Sequence, residues 1–217
     1  MPRRAPKKPA PGVNLSSHFS ILGELPELLE PASLFLNDNP VELEVGSGKG
    51  LFLVTSSSVH QNTNFLGIEI AAGYARMAAG RLAIAGMPNA RVIHGDAQRL
   101  VQTMLPDNCL HAIHVYFPDP WWKARHRKRR VLCRPFLEHA GRVLIADGRL
   151  HVWTDVEEYY SEAMMTAHQT GLFSEPQKET APPAEHDLDY RTHFERRTRL
   201  AGKPIWRAVL RRRTVEI

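Results

Sequence analysis

The segment VELEVGSGKG, residues 41–50, joins a short apolar run to a glycine-rich turn that opens a predicted helix. Its first five residues are predicted to form a strand. Gly46, Gly48 and Gly50 permit a tight turn and let a ligand approach the backbone. The spacing matches neither the Walker loop nor the dinucleotide-binding G-x-G-x-x-G. Glu44, just before the turn, would repel a pyrophosphate, so the segment predicts a strand–turn–helix site for a cationic ligand.

Short apolar runs alternate with helix-length amphipathic segments along the chain, a pattern typical of a sheet covered by helices on both faces. The predicted strands are Val41–Val45, Asn64–Ile70, Ala90–Gly95, His111–Phe117, Gly148–Thr154 and Pro204–Arg213. The predicted helices are Leu51–His60, Ala71–Ala85, Ala97–Met104, Val131–Ile145 and Val156–Thr170, the last capped by Asp155. The order of elements therefore predicts one α/β fold.

Two further acidic residues stand at the ends of predicted strands: Glu69 ends the second, and Asp96 follows the third. Ligands of open α/β sheets bind at this carboxyl edge. There Glu69 can accept from both ribose hydroxyls and Asp96 from an adenine amine, although each acid alone also fits a strand-end turn or a helix cap. Together with Glu44 they favour a cationic nucleoside, S-adenosylmethionine. Their order resembles that of class I methyltransferases.

The composition fits a globular chain of one domain. Of the 217 residues, 43% are hydrophobic and 24% charged. Residues 1–14 are predicted to be a disordered basic tail, and residues 15–217 one domain with a substrate-contacting insertion near 178–202. Cys109 and Cys133 fit neither a disulfide framework nor a metal site, and we see no apolar run of about 20 residues for a membrane helix. These features predict a cytoplasmic protein with no membrane partner, as a monomer or a homodimer.

The stretch FPDPWWKARHRKRR, residues 117–130, follows the fourth predicted strand. We name residues 117–122 the FPDPWW loop and residues 123–130 the basic run. Prolines restrict the backbone on both sides of Asp119, and Trp121 and Trp122 offer flat faces for a base. The same sequence is also compatible with a purely structural role, in which the segment is a rigid turn with one buried tryptophan and Asp119 caps a helix. The cations predicted to hold an RNA backbone are Arg125, Arg127, Lys128, Arg129 and Arg130.

The stretch FPDPW-x-K-x-R-H-x-K-R-R resembles the hallmark of the bacterial tRNA (guanine-N7-)-methyltransferases. The resemblance runs from about Pro40 to the C-terminus and includes GIEI, GDA, Thr154-Asp155, THFERR (residues 192–197) and GKPIWR (residues 202–207). It implies the Rossmann-like class I methyltransferase fold, with a mostly parallel central sheet, helices on both faces and an antiparallel C-terminal strand. One departure is Arg197, where the family usually has glycine.

The resemblance also assigns expected roles to single residues. It implies S-adenosylmethionine contacts for Glu44, Gly46, Gly48, Glu69, Asp96 and Asp119, with Asp119 as the active-site residue. It implies substrate contacts for Lys123, Asp155, Thr192, His193, Phe194 and Glu195. The implied substrate is tRNA, methylated on the guanine at variable-loop position 46.

Methylation at guanine N7 needs no general base, because N7 carries a free lone pair and no proton. The product is a cationic purine, so a carboxylate near the reacting atoms would stabilise the transition state. Asp119, Asp155 and Glu195 are the candidates for this role and for recognition of the guanine N1–H and amine. No metal is expected, because His111 and His114 lie three apart on a strand and face opposite sides.

Two other functions remain open from the sequence. One is a class I methyltransferase that acts on another RNA, a protein or a small molecule, for which the basic residues would be incidental. The other is a non-catalytic RNA-binding relative that keeps the fold. The intact Glu44, Gly46, Gly48, Glu69 and Asp119 argue against lost catalysis.

Overall fold

Eight strands build the central sheet. The computed structural model describes residues 12–181, 183–186 and 189–214, so residues 1–11 of the predicted tail lie outside the described part. The strands are β1 (Phe19–Ile21), β2 (Val41–Val45), β3 (Asn64–Glu69), β4 (Ala90–His94), β5 (Leu110–Tyr116), β6 (Leu144–Thr154), β7 (Gln177–Lys178) and β8 (Trp206–Arg211).

The spatial order of the strands is β1-β4-β3-β2-β5-β6-β8-β7. Strands β1 to β6 pair in parallel, while β8 pairs antiparallel with both β6 and β7. The predicted α/β fold with an antiparallel C-terminal strand is confirmed. The strand order turns back beside β2, whose neighbours are β3 and β5. A crevice at such a switch point, at the carboxyl ends of the strands, is where open α/β sheets bind ligands.

Helices cover both faces of the sheet. They are α1 (Leu51–Val59), α2 (Ala72–Ala85), α3 (Ala97–Arg99), α4 (Arg134–Val143), α5 (Glu157–Thr170) and α6 (His193–Leu200). Buried residues of α1 and α2, such as Phe52 and Leu82, pack in one apolar cluster. Buried residues of α4 and α5, such as Phe136 and Tyr159, pack with buried strand residues in a second, larger apolar cluster. The core therefore consists of two apolar clusters, one with α1 and α2 and the other with α4 and α5.

Several elements differ from the sequence prediction. β1, β7 and α6 were not predicted, because each is short or lies in a segment with mostly polar composition. β6 begins at Leu144 rather than Gly148, and α4 is shorter than the predicted helix at both ends. Only the first three residues predicted as the third helix are α-helical; a π-helical turn follows over Leu100–Met104. Asp155 does not cap α5, whose N-cap is Val156 without a side-chain cap.

Candidate active site

The glycine turn after β2 leaves open space beside its backbone. Gly46 and Gly48 have φ of +76° and +52°, a region that disfavours residues with a Cβ. Apart from Gly46 itself and its two chain neighbours, no described residue has an atom within 4 Å of the Cβ position at Gly46, so a ligand can approach there. Gly50 serves packing instead, because a Cβ there would come within 2.7 Å of Ala78 Cβ on α2. The turn therefore combines an open ligand face with a close contact between helices.

Glu69 at the end of β3 holds the glycine turn to the start of α2. Its Oε2 accepts from the Gly48 N–H at 2.9 Å, and its Oε1 accepts from the Ala71 N–H at 2.8 Å. A carboxylate oxygen has two lone pairs, so each oxygen retains capacity for one more donor. The side chain is thus fixed by backbone contacts while still able to accept from a pair of hydroxyls.

Glu44 near the end of β2 is buried, with 3% of its surface exposed. Its Oε2 has no hydrogen-bond partner among the described residues. Burial, assisted by the charge of Glu69, raises the pKa of Glu44 to about 8. A buried carboxyl group without a partner is costly unless a ligand satisfies it. Glu44 is therefore suited to a cationic ligand group that approaches from the open side of the turn.

Asp96 follows β4 and is exposed. Its Oδ1 accepts from the Gln98 N–H at 2.8 Å and caps the short helix α3. Glu44, Glu69 and Asp96 thus stand at the carboxyl ends of three adjacent strands, β2, β3 and β4. This acidic rim fits the sulfonium, amino and hydroxyl groups of S-adenosylmethionine, because carboxylates accept hydrogen bonds and attract cations.

The FPDPWW loop leaves β5 in a strained conformation. Phe117 and Trp121 both have positive φ, of +48° and +46°, which is rare for bulky residues. Strained residues of this kind concentrate at functional sites. Between them the two prolines frame Asp119, and the Phe117 N–H donates to the Trp153 carbonyl at 2.7 Å. The loop therefore presents Asp119 from a defined, locally strained backbone at the carboxyl edge.

The two tryptophans of the loop have different surroundings. Trp122 is 65% exposed, the largest exposed aromatic surface among the described residues. Trp121 is partly covered: the His126 ring meets it edge-on at 5.8 Å, and the Arg129 guanidinium lies 5.1 Å over its centroid. Trp122 is consequently the better placed of the two to stack on an unpaired base.

The basic run divides into exposed and buried cations. It forms a 3₁₀ helix over Ala124–Arg129. Its exposed cations are Lys123, Arg125, Arg127, Lys128 and Arg129.

Arg130 has only 2% of its surface exposed. Its Nε donates to the Pro120 carbonyl, and it pairs with Glu162. The predicted phosphate contact of Arg130 is therefore corrected, because its guanidinium lies beneath the surface and is held by protein groups.

The segment Thr192–Glu195 forms the start of α6. Thr192 caps this helix by accepting from the Glu195 N–H at 3.0 Å, and Glu195 accepts from the Arg191 N–H at 2.7 Å. The sequence signal T-x-x-E is that of a capping box, an interpretation that the sequence analysis missed. Phe194 is 40% exposed and stacks on Phe117 at 6.3 Å between centroids.

Glu195 is 1% exposed, and its Oε1 lies 3.2 Å from Arg199 and 3.6 Å from Arg207. Direct substrate contact was expected for it, but this carboxylate instead holds two arginines inside the protein. Its role is corrected to fixing the segment that carries Thr192, His193 and Phe194.

The remaining predicted site residues lie on the surface. Lys123 and Asp155 are exposed, and Asp155 directly follows β6. His193 is exposed and lies 3.2 Å from Arg81, which also donates to the Lys49 carbonyl of the glycine turn. These two contacts bring α6, α2 and the turn after β2 together at one edge.

Partly buried contacts that the sequence did not predict hold Glu179 and Arg191 against the sheet. Glu179 accepts from Trp153 Nε1 at 2.6 Å. Arg191 Nη1 donates to the Tyr116 hydroxyl at 3.0 Å, and Tyr116 directly precedes the FPDPWW loop. These pairs join residues 26 and 75 positions apart, so no local pattern could have indicated them.

No metal cluster or membrane span is found in the described part of the chain. Its His, Cys, Asp and Glu side chains form no group of three or more placed to hold an ion. Among the described helices, none has the length and apolar character needed to cross a bilayer.

The comparisons with known proteins agree with this geometry. A family model described as "Putative methyltransferase" matches residues 38–208. The 16S rRNA methyltransferase KamB has a similar fold, with a TM-score of 0.60, 13% identity, and coverage of 81% of this chain and 89% of that one. The antibiotic-resistance methyltransferase Kmr also has a similar fold, with a TM-score of 0.55 and 19% identity, and the match covers 82% of this chain and 88% of that one. The fold and the acid-lined edge define a class I methyltransferase.

Two sequence relatives narrow the class to a family. The tRNA (guanine-N(7)-)-methyltransferase of Rhodopirellula baltica is 44% identical over 220 residues, with coverage of 99% of this chain and 81% of the relative. The enzyme of the same name from Sodalis glossinidius is 37% identical over 182 residues, with 82% and 74% covered. The chain belongs to the tRNA (guanine-N(7)-)-methyltransferase family.

Proposed function

We propose that this protein transfers a methyl group from S-adenosylmethionine to N7 of a guanine in tRNA, at variable-loop position 46. Family membership supports the reaction and the substrate class. The observation in the molecule that carries the proposal is the division of one sheet edge into an acidic rim at β2–β4 and a basic, tryptophan-bearing loop after β5.

The acidic rim holds the methyl donor. Glu44, whose Oε2 is buried without a described partner, accepts from the donor's cationic end. Glu69 accepts two backbone hydrogen bonds, and its remaining lone pairs accept from the ribose hydroxyls. Asp96 accepts from the adenine amine. Gly46 and Gly48 provide the close backbone approach. When bound, the donor supplies a methyl group made electrophilic by a sulfonium.

Asp119 acts at the reacting centre. Transfer to N7 moves positive charge from sulfur to the purine, and a carboxylate beside this path stabilises the charge as it moves. The prolines and strained residues around Asp119 restrict the conformations of its backbone. The larger part of the rate gain comes from the alignment of N7, the methyl carbon and sulfur, which is a positioning effect. Asp155 and Lys123, exposed beside the same edge, are assigned to guanine recognition.

The basic run and α6 hold the tRNA. Arg125, Arg127, Lys128 and Arg129 are exposed along one 3₁₀ helix and face phosphates. Trp122 stacks on a base, while Thr192, His193 and Phe194 at the start of α6 contact the nucleotide. The reaction places the protein in the cytoplasm with tRNA, a location that also suits its two free cysteines.

The test is incubation with labelled S-adenosylmethionine and unmodified tRNA transcripts, followed by nucleoside analysis and mapping of the label. The expected product is 7-methylguanosine in a transcript with guanine at position 46. A matched transcript with adenine at that position should stay unlabelled. Methylation of another atom, or of protein alone, would overturn the reaction. Labelling of both transcripts would overturn only the position.

A further inference from the structure

The last arginine of the basic run is buried although its neighbours are exposed. Arg130 has 2% of its surface exposed, whereas Arg127, Lys128 and Arg129 are exposed. A guanidinium is always charged, and a buried charge is costly unless protein groups pair with it. The contacts of Arg130 therefore indicate what its burial achieves.

Arg130 ties the FPDPWW loop to α5. Its Nε donates to the Pro120 carbonyl at 2.8 Å, and its Nη1 pairs with Glu162 of α5. The guanidinium also lies 4.8 Å over the ring of Tyr159, one turn earlier on the same helix. Tyr159 in turn accepts from the Leu132 N–H at 3.2 Å. The loop, the end of the basic run and α5 are thus joined through one side chain.

The FPDPWW loop needs an external contact of this kind. Phe117 and Trp121 have positive φ, which local sequence does not favour. Pro118 and Pro120 have no N–H and cannot donate backbone hydrogen bonds. Pro120, whose carbonyl Arg130 holds, lies between Asp119 and Trp121. A fork-shaped donor can hold this carbonyl and a carboxylate at the same time.

We propose that Arg130 is a positioning residue for methyl transfer. It touches neither tRNA nor the methyl donor, and it sets the place of Asp119 and the tryptophans through the Pro120 carbonyl. The inference rests on the proposed function for its kinetic readout, but its structural readout needs no substrate.

α5 provides a matched control for this contact. Glu158 pairs with Arg127 at 2.7 Å, one turn before Glu162, and both of those side chains are about half exposed, at 47% and 56%. Exposed pairs contribute little. The carboxylates of Glu158 and Glu162 lie on the same helix and pair with the same basic run, but only Glu162 pairs with a buried arginine.

The experiment measures amide hydrogen exchange across residues 116–123 and the single-turnover rate of methyl transfer for Arg130→Lys, Glu162→Ala and Glu158→Ala. Arg130→Lys keeps the positive charge but loses the forked guanidinium. We expect faster amide hydrogen exchange in residues 116–123 and a single-turnover rate of methyl transfer about tenfold lower than in the wild type. Glu162→Ala should change the amide exchange and the single-turnover rate in the same directions as Arg130→Lys, but to a smaller extent. Glu158→Ala should match the wild type in both quantities. Arg130→Lys and Glu162→Ala should keep the wild-type salt dependence of tRNA affinity.

Three results would overturn the proposal. The first is unchanged exchange in both Arg130→Lys and Glu162→Ala. The second is faster exchange with an unchanged transfer rate, which would make the contact merely structural. The third comes from a further variant, Arg130→Met, which removes the charge. A lower salt slope of tRNA affinity in this variant than in the wild type would mean that Arg130 meets a phosphate. If the wild type itself does not methylate tRNA, the proposed function fails while the exchange data still decide whether Arg130 holds the loop.

Discussion

The acidic and the basic halves of the site lie on one edge of the sheet but are built differently. In the acidic half, Glu44, Glu69 and Asp96 lie at or just after strand ends, and the backbone N–H groups two residues further on hold Glu69 and Asp96. In the basic half, the exposed cations of the basic run follow the strained FPDPWW loop, which distant contacts through Arg130 and Phe194 hold. The difference indicates that donor binding depends on local geometry, whereas tRNA binding and alignment depend on tertiary contacts.

The largest expected effect is at Asp119, which the proposed function puts at the reacting centre. We expect Asp119→Ala to lower the single-turnover rate of methyl transfer by about 100-fold, the usual cost of losing one group that stabilises transition-state charge. The dissociation constant for tRNA should stay within about twofold, since a base contact is not its main role. Rapid-quench assays and filter binding measure the two quantities. Equal losses of rate and affinity, or an unchanged rate, would contradict the assignment.

Trp122 tests whether the basic half holds a base as well as phosphates. Trp122→Ala should weaken tRNA binding by about 1–3 kcal/mol, the range for stacking of one base on an aromatic ring. Trp122→Phe is the matched control and should keep most of the affinity, because it retains a flat ring. An alanine variant that binds tRNA as tightly as the wild type would remove Trp122 from the interface.

Glu44 makes donor binding depend on pH. Burial, with the charge of Glu69, raises its pKa to about 8, so the carboxyl is mostly protonated at pH 7 in the free protein. A cationic donor prefers the carboxylate, so binding releases a proton and affinity rises with pH. The rise should approach tenfold per pH unit at most and level off above about pH 8.

Calorimetry from pH 6 to 9 measures this dependence. Glu44→Gln, recorded in parallel, removes the contribution of this carboxyl and leaves the titration of the donor itself. Identical pH profiles for the wild type and Glu44→Gln would show that Glu44 does not meet the cationic end of the donor.

The smallest expected effect is at single exposed cations of the basic run. Lys128→Ala and Arg129→Ala should each lower the slope of log affinity for tRNA against log salt by about 0.7–0.9, the contribution of one phosphate contact. Arg211→Ala is the control, because Arg211 is exposed at the opposite edge of the sheet, where β8 pairs with Arg149 of β6. A slope unchanged by Lys128→Ala and Arg129→Ala would remove these residues from the tRNA interface.

The acidic half could be predicted from the sequence because its signals are local. The strand, the glycine turn and the acid at the next strand end lie within short stretches, and β2 begins and ends where VELEV predicted. Asp155 was expected to cap α5 and does not, because Val156 takes that position.

The basic half was predicted less well, for a physical reason. Arg130 has nearly the same sequence context as Arg129, and the partners that accompany its burial include Tyr159 and Glu162, 29 and 32 positions later in the chain. The T-x-x-E signal at Thr192 could have predicted both α6 and the structural place of Glu195, since a capping box is read from four residues. The contact of Arg191 with Tyr116 has no such local signal.

The division of the edge into a donor half and a tRNA half is tested most directly by measuring both dissociation constants for Glu44→Gln and Trp122→Ala at pH 8. We expect a crossed result: Glu44→Gln weakens binding of S-adenosylmethionine and leaves tRNA binding unchanged, and Trp122→Ala does the reverse. If either variant loses affinity for both ligands to a similar extent while it remains folded, the two halves of the edge do not have separate functions, which would contradict the proposed division.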